Sequence, residues 1–508
     1  MMKKITFTLI LFAATISIAV IAQENNVTLH KLSFEDALQI TNQNSLIVKQ
    51  GNQKIKQKQL EKEAALGLYM PKISLNASYM IMSEDIHLDL NPVKDAITPV
   101  YSALGNYGVF TGVPNPDPTT SGVMPFLPDD VSTAAVRQQF LDGLEEINAS
   151  DWNQTIQKKQ FGTVTANFTL PLYTGGKIRT ANTAAKIKIQ EAKAENNQKV
   201  QELSCELIER YYGLVLAKNA KKIREDVLEI MSHHLVDAEK LMNEGIIAKA
   251  EFLHAKVYHS EAERELKKVN RQVNIVNDAL LNTLAIKENT EITPISNLFY
   301  FKNINPIDYY WEKTQLNSPL LKQIETKKEL AHQAYKIEKA EFFPTIAAMG
   351  TYDLYNKDLS PYIPDYMVGV GLKWNLFKGT ARIKKLKASK VQEQQVETYY
   401  SKAESDINTA ITKYYQEIQM NVEQLVELES ALEFATEYYR VRESAFKEGM
   451  ATTTEVSDAS LAVAKVKIER LKVMYSFDIA LSKLLYYSGI SNEFTTYMLN
   501  AETIYESY

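Results

Sequence analysis

A single cysteine, Cys205, occurs in 508 residues. One thiol cannot form a disulfide framework or a cysteine-based metal site. Leu203, Leu207 and Ile208 flank it at helical spacing, so it reads as an inert packed thiol. A basic excess is also missing: 57 Lys and Arg stand against 62 Asp and Glu, a formal net charge of −5. That balance offers nothing to nucleic acid. Beyond residue 22 no apolar run is long enough for a transmembrane helix. Catalytic patterns are scarce too. His233 and His234 are neighbours and point apart on a helix, and His254 and His259 are five apart, so no helical zinc face forms. Gly175-Gly176-Lys177 lacks the spacing and the Ser/Thr of a phosphate loop. No catalytic residue, cofactor or metal site is read from the chain, and an enzyme is not expected.

What is present begins with an address. Lys3-Lys4 precede an apolar run from Ile5 to Ile21, and Val20-Ile21-Ala22 offers small residues at a cut. The pattern predicts a signal peptide over 1–22, with cleavage before Gln23. No cysteine follows the cut, so lipid attachment at the new N-terminus is excluded.

The chain then contains one stretch twice. Sliding Phe161–Ile286 forward by 204 residues places Leu172-Tyr173-Thr174-Gly175 on Leu376-Phe377-Lys378-Gly379 without a gap. The same shift places Glu244-Gly245 on Glu448-Gly449 and Leu280-Leu281 on Leu484-Leu485. An ungapped register this long means two copies of one structural unit. Each copy reads as a strand, a very long helix, a glycine turn and a returning helix.

The first repeat, 23–286, is expected to hold helices over 34–69, 177–243 and 247–286 and strands over about 72–82 and 161–171. Ser33 is a candidate N-cap with Asp36 three residues on, and Pro71 ends the first helix. Ile73, Leu75, Ala77, Tyr79 and Ile81 alternate with Lys72, Ser74, Asn76 and Ser78, and Val164, Ala166, Phe168 and Leu170 do the same with Thr163, Thr165, Asn167 and Thr169. Period two marks strands with one apolar and one polar face. Between them, 83–155 holds seven of fifteen prolines and eleven acidic residues against Lys94 and Arg137. It reads as a long irregular insertion with a short helix around Ser132–Ile147.

Residues 287–306 read as a linker, and the second repeat spans 307–490, followed by a tail over 491–508. Its helices are expected over 307–343, 380–447 and 453–488, its strands over about 345–355 and 366–376. Asn317-Ser318 matches Asn44-Ser45 and Pro344 matches Pro71, both at an offset of 273. Ile407, Ile411, Tyr414, Ile418, Asn421, Leu425, Leu428, Leu432, Ala435 and Tyr439 step 4-3-4-3, the 3.5 period of left-handed coiled-coil packing. The returning helix continues it from Ala459 through Arg470 to Leu484, with Asn421 and Arg470 as polar interruptions that fix register.

Strands of about ten residues suit a tilted crossing of a bilayer. Tyr69, Tyr173, Phe342, Phe343, Trp374 and Phe377 stand at their ends, as an interfacial aromatic belt would. Four strands cannot close a barrel, and an open edge cannot face lipid, so copies must combine. Two copies would give eight strands and an interior filled by side chains; three, the favoured number, give twelve and begin to allow a pore. The fold class expected is mainly α with a transmembrane β-barrel, shared between chains, and a helical coiled-coil tunnel.

The duplicated unit, the Pro-Leu-Tyr-Thr-Gly-Gly-Lys-Ile-Arg turn at 171–179 and the paired tips Asn243-Glu244-Gly245-Ile246 and Lys447-Glu448-Gly449-Met450 together resemble the TolC-like outer-membrane efflux proteins. The resemblance covers nearly the whole mature chain. It implies a homotrimer with a twelve-stranded barrel in outer-membrane lipid and a twelve-helix tunnel in the periplasm. It also implies a periplasmic adaptor and an inner-membrane pump or ABC exporter as partners. The implied function is the passive exit duct of a tripartite efflux or type I secretion system. An exported coiled-coil scaffold or binding protein with an ordinary soluble sheet is the alternative.

The same resemblance implies the site residues. Acidic rings at the periplasmic aperture fall on Glu455 and Asp458, with Glu251 and Phe446 as neighbours. Adaptor docking falls on the tip turns, Glu244, Gly245, Ile246, Glu448, Gly449 and Met450. The family's gating latch departs here, because Phe446 stands where it has tyrosine and Ala451 where it has arginine.

Overall fold

The computed structural model describes residues 31–106, 113–114, 123–124, 131–286, 290–501 and 503–504. The expected signal peptide, 1–22, lies outside the described residues. After β1 (Lys31–Leu32), α1 spans Phe34–Asn44 and α2 spans Leu46–Leu66. The single helix expected over 34–69 is therefore interrupted at Ser45 and ends in a 3-10 turn, Gly67–Tyr69. Ser33 caps α1 by accepting from the Asp36 amide at 3.1 Å. Ser45 leaves helical geometry and its Oγ accepts from the Ile47 and Val48 amides, so one serine ends α1 and starts α2.

β2 (Lys72–Ile81) leads into the insertion, which is more ordered than its prolines suggest. It holds β3 (Ile86–Asp89), α3 (Asn91–Gly105), β4 (Val113–Pro114), β5 (Val123–Met124), α4 (Val131–Ala149) and β6 (Asn153–Gln157). α3 runs through Pro99. Tyr101 and Phe140 meet edge to face at 5.6 Å, and buried Gly105 leaves room for Leu141. β7 (Gln160–Tyr173), α5 (Lys177–Asn243) and α6 (Lys249–Leu284) complete the first repeat.

The expected linker is structured as β8 (Thr293–Pro294) and β9 (Phe299–Tyr300), with Leu298, Phe299 and Tyr300 buried. Then come α7 (Ile307–Asn317), α8 (Pro319–Ala340), β10 (Thr345–Lys357), β11 (Tyr366–Lys373), α9 (Ala381–Lys447) and α10 (Thr453–Tyr487). The helix expected over 307–343 breaks at Ser318 as its counterpart does at Ser45, with Ser318 Oγ accepting from the Leu321 amide. α11 (Phe494–Leu499) and β12 (Thr503–Ile504) occupy the expected tail. α5 and α9 are both 67 residues long and begin and end at the same offset of 204.

The chain forms two compact units, and each draws on both repeats. One takes its described residues from Leu60–Lys186 and Ala331–Glu393. Its centre is an antiparallel sheet in the order β11-β10-β7-β2, so β2 and β11 each present an edge unpaired among the described residues. Ile73, Leu75, Val368, Val370 and Leu372 are exposed, Val368 at 79%. An alternating apolar face left in the open is what a lipid-facing strand shows. At one end of the sheet Gln157 donates to the Asp358 carbonyl and accepts from the Ser360 amide, tying β6 to the β10–β11 turn. At the other end Gly175 adopts φ +63, and a Cβ there would lie 2.8 Å from the Ala340 carbonyl oxygen. Only glycine fits that approach.

The other unit takes Ile187–Leu330, the described residues up to Gln59 and those from Gln394 onward. Its core is aromatic: Phe34, Tyr211, Tyr212, Phe299 and Phe494 meet edge to face or tilted with ring centroids 5.3–6.1 Å apart. Tyr211 donates to the Leu32 carbonyl at 2.7 Å and accepts from the Ser296 amide at 3.1 Å, which satisfies its buried hydroxyl. β1 pairs with β8 in parallel and β9 with β12 antiparallel. Of the α9 seam, Ile407, Ile411, Ile418, Asn421, Leu425 and Ala435 are buried. Arg470 reaches Glu429 at 3.6 Å. Asp478, on the face of α10 beside β9, is wholly buried, and burial pushes its carboxyl well above the usual carboxylate range. No helix among the described residues is long and apolar enough to cross a membrane.

Candidate functional site

The site is assembled where α5 turns into α6 and α9 into α10. Each long helix ends in the same six-residue closure. Gly245 (φ +78) donates to the Met242 carbonyl and Ile246 to that of Leu241. Gly449 (φ +70) donates to Phe446 and Met450 to Ala445. These paired bonds are Schellman closures, and their left-handed residue is one that glycine adopts without strain. Ile246 and Met450 project their apolar side chains into solvent, Met450 at 75% exposure.

The two returning helices start differently. α6 has Ala248 at its N-cap and no side-chain cap. α10 has Thr452, whose hydroxyl accepts from the Glu455 amide at 3.2 Å while the Glu455 carboxylate accepts from the Thr452 amide at 2.8 Å. This reciprocal capping box satisfies two amides that the helix itself cannot. The second carboxylate oxygen of Glu455 pairs with the Arg442 guanidinium on α9 at 3.1 Å. The Thr452 amide and hydroxyl, and then the Arg442 charge, hold the Glu455 carboxyl below the usual range.

Contacts between the two hairpins complete the arrangement. Glu251 on α6 accepts from the Thr453 amide of α10 at 3.2 Å. Tyr258 on α6 donates to the Asp458 carboxylate at 3.0 Å. Phe446 is buried against the His234 ring of α5, with centroids 4.5 Å apart. Burial pushes the His234 imidazole down, so it is neutral in the folded chain at neutral pH. A cavity of about 510 Å³ opens beside it, lined by His234, Asp237, Leu241, Tyr439, Glu443 and Phe446 among others. The His234 Nε2 is buried there without a hydrogen-bond partner among the described residues.

The structure thus places Glu251 and Glu455 on the start of α10, Asp458 one turn further on against Tyr258, and Phe446 against α5, while Glu244, Gly245, Ile246, Glu448, Gly449 and Met450 form the adjoining turns. Sequence reasoning missed Arg442, His234 and Tyr258. The Thr452-x-x-Glu455 spacing was a legible capping signal. Arg442 was not, because its partner lies thirteen residues away across a turn. Among the described residues no group of three or more His, Cys, Asp or Glu could hold a metal ion.

The fold and sequence are similar to those of known proteins. The sequence model described as outer membrane efflux protein matches residues 144–285 and 311–489. The outer membrane protein VceC of Vibrio cholerae superposes with a TM-score of 0.62 at 15% identity, over 90% of this chain and 96% of that one. CusC, described as forming a transmembrane channel, gives 0.67 at 12% identity over 90% and 92%. The CmeC outer membrane channel of Campylobacter jejuni gives 0.66 at 10% identity over 92% and 90%. No curated protein matches the sequence. The chain belongs to the outer membrane efflux protein family, and it is an exit duct for efflux in the outer membrane with its helical part in the periplasm.

Proposed function

We propose that three copies of this chain close one barrel, and that a periplasmic adaptor on the hairpin tips delivers substrate from an inner-membrane pump or ABC exporter. The observation that carries this reading is the sheet with bare edges at β2 and β11. Backbone groups left unpaired in hydrocarbon cost several kcal/mol each, so neither edge can face lipid. Four strands cannot curl into a ring. Twelve leave a lumen, and eight would be filled by side chains. Conduction is passive, and the duct contributes no chemistry of its own.

At the periplasmic mouth, threefold symmetry gathers three Glu455 and three Asp458 carboxylates. Arg442 offsets the first charge and Tyr258 only hydrogen-bonds the second, so Asp458 carries more of the attraction for cations. Bilayer conductance recordings test the ring: the Glu455→Ala, Asp458→Ala double variant is expected to lose block by divalent cations. Unchanged block would remove these residues from the aperture. Closure of the barrel is tested with Asn76→Cys on β2 and Gly369→Cys on β11 in one chain. Cys205 is buried, so oxidation reads the new pair alone. Covalent trimers are expected, and exclusively monomeric product would refute the shared barrel.

A further inference from the structure

Between Lys373 and Lys390 lie seven cations, Lys373, Lys378, Arg382, Lys384, Lys385, Lys387 and Lys390, and no acidic residue, in a chain of net charge −5. Two of them are engaged. Arg382 donates to the Glu341, Asn375 and Leu376 carbonyls and lies over the Phe342 ring at 4.2 Å, and Lys390 pairs with Glu393 at 2.6 Å. Lys378 acts at longer range on Glu341, whose carboxyl it helps Lys177 hold below the usual range, and Lys384, Lys385 and Lys387 make no ion pair among the described residues. They are exposed, and three of them fall within the first seven residues of α9. Helix geometry does not ask for them there, since the positive end of the macrodipole disfavours cations.

The first repeat shows what the same element needs structurally. At the offset of 204, Lys384, Lys385 and Lys387 correspond to Thr180, Ala181 and Thr183 of α5. That helix forms over the same 67 residues with uncharged side chains at these three positions, its own first turn carrying Lys177 and Arg179 instead. In α5 this start is partly covered, with Thr180 buried; in α9 it is open. The apolar side chains beside the lysines are open as well: Trp374 at 53%, Leu376 at 70% and Phe377 at 85% exposure, with Ile383 on the helix itself. Trp374 continues the outward stripe of Val368, Val370 and Leu372. An apolar stripe, then aromatic rings, then snorkelling lysines is the order in which a membrane surface is crossed from hydrocarbon to water.

We propose that the start of α9 is a binding site for the anionic headgroups of phospholipids in the periplasmic leaflet of the outer membrane. The proposal rests on the membrane placement of the family and not on the adaptor or the number of copies. The aromatic and apolar residues set the depth, and Lys378, Lys384, Lys385 and Lys387 supply charge at the headgroup level. Each such lysine contributes about five-fold in anionic-lipid affinity.

Native mass spectrometry of the full-length protein with phosphatidylglycerol or phosphatidylcholine tests this. The wild type is expected to retain phosphatidylglycerol preferentially. The K384Q, K385Q, K387Q variant should lose that preference, a triple Lys→Arg variant should keep it, and K267Q with K268Q on α6 should not change it. Preference surviving in the glutamine triple, or lost in the arginine triple, would overturn the assignment. So would displacement of the lipid by excess inorganic phosphate, which would mark a free-anion site. If the lysines instead pair with a neighbouring copy, the glutamine triple weakens the oligomer and leaves lipid preference intact, which also overturns the proposal. Equal uptake of both lipids by the wild type overturns the headgroup site alone, whereas uptake of neither overturns the membrane placement with it.

Discussion

Glu251 and Glu455 occupy equivalent positions of the two repeats, 204 residues apart, and both carboxylates end on the start of α10. Glu455 closes the capping box of its own helix. Glu251, whose own helix has Ala248 where α10 has Thr452, reaches across to the Thr453 amide instead. With no threonine cap to engage it in the first repeat, the Glu251 carboxylate joins the hairpins. Thr452→Ala is expected to cost about 1 kcal/mol of stability. Glu251→Ala should speed hydrogen exchange at Thr453 without altering exchange inside α6. Equal exchange in that variant and the wild type would show that the crossing bond carries no weight.

The returning helices end on another unequal pair. Ala285 (φ 53) and Gly489 (φ 73) both stand in the left-handed region at the offset of 204. Ala285→Gly is expected to raise stability by about 1 kcal/mol, because the alanine pays a Cβ penalty there. Gly489→Ala should cost more than about 2 kcal/mol, since its Cβ would fall 2.5 Å from the Asn317 backbone as well as adopting a disfavoured φ. Thermal midpoints of the two variants, moving in opposite directions, check both.

Asp478 makes a pH prediction. Below about pH 4 the carboxyl is protonated in folded and unfolded chains alike, and its burial costs least. As pH rises further, the unfolded chain gains by ionising while the buried group cannot follow, so stability falls until the raised folded-state pKa is reached. Asp478→Asn removes the titration. The stability gained by the variant over the wild type should therefore grow with pH from about 4 upward. A pH-independent difference in denaturation curves would contradict it.

His234 runs the other way. Above about pH 6.5 the imidazole is neutral in both states and its packing on Phe446 is fully retained. On acidification the unfolded chain takes up the proton first, and the stability of the tip is lost as pH falls through the lowered folded-state pKa. His234→Phe should flatten this dependence between about pH 7 and 5, read as hydrogen exchange at the Phe446 to Thr453 amides. An acid-induced rise in exchange that persists in the variant would assign it to another group.

Most of the architecture was legible because it is periodic. A 3.5-residue step in Ile407 to Tyr439 and a two-residue step in Val368 to Trp374 can each be read without a partner. The failures share a cause: short or interrupted elements carry no period. Pro99 reads as a breaker, yet α3 passes through it. Phe299 and Tyr300 form a strand of only two residues, so their burial was invisible. Ser45 and Ser318 were recognised as matching positions, but nothing in a helical pattern says that a serine will turn its hydroxyl to cap the next segment. At the tips the chain-local features were accessible, namely two glycines and a capping spacing. The pairs Arg442–Glu455, Tyr258–Asp458 and His234–Phe446 were not, since they depend on which helices become neighbours.

The bare edges of β2 and β11 also set a kinetic rule for biogenesis. In the proposed shared barrel no single polypeptide finishes its own sheet, so productive insertion would be of higher order in chain concentration, while off-pathway strand pairing at the bare edges competes with it. Low expression should therefore lower the yield of inserted duct more than proportionately.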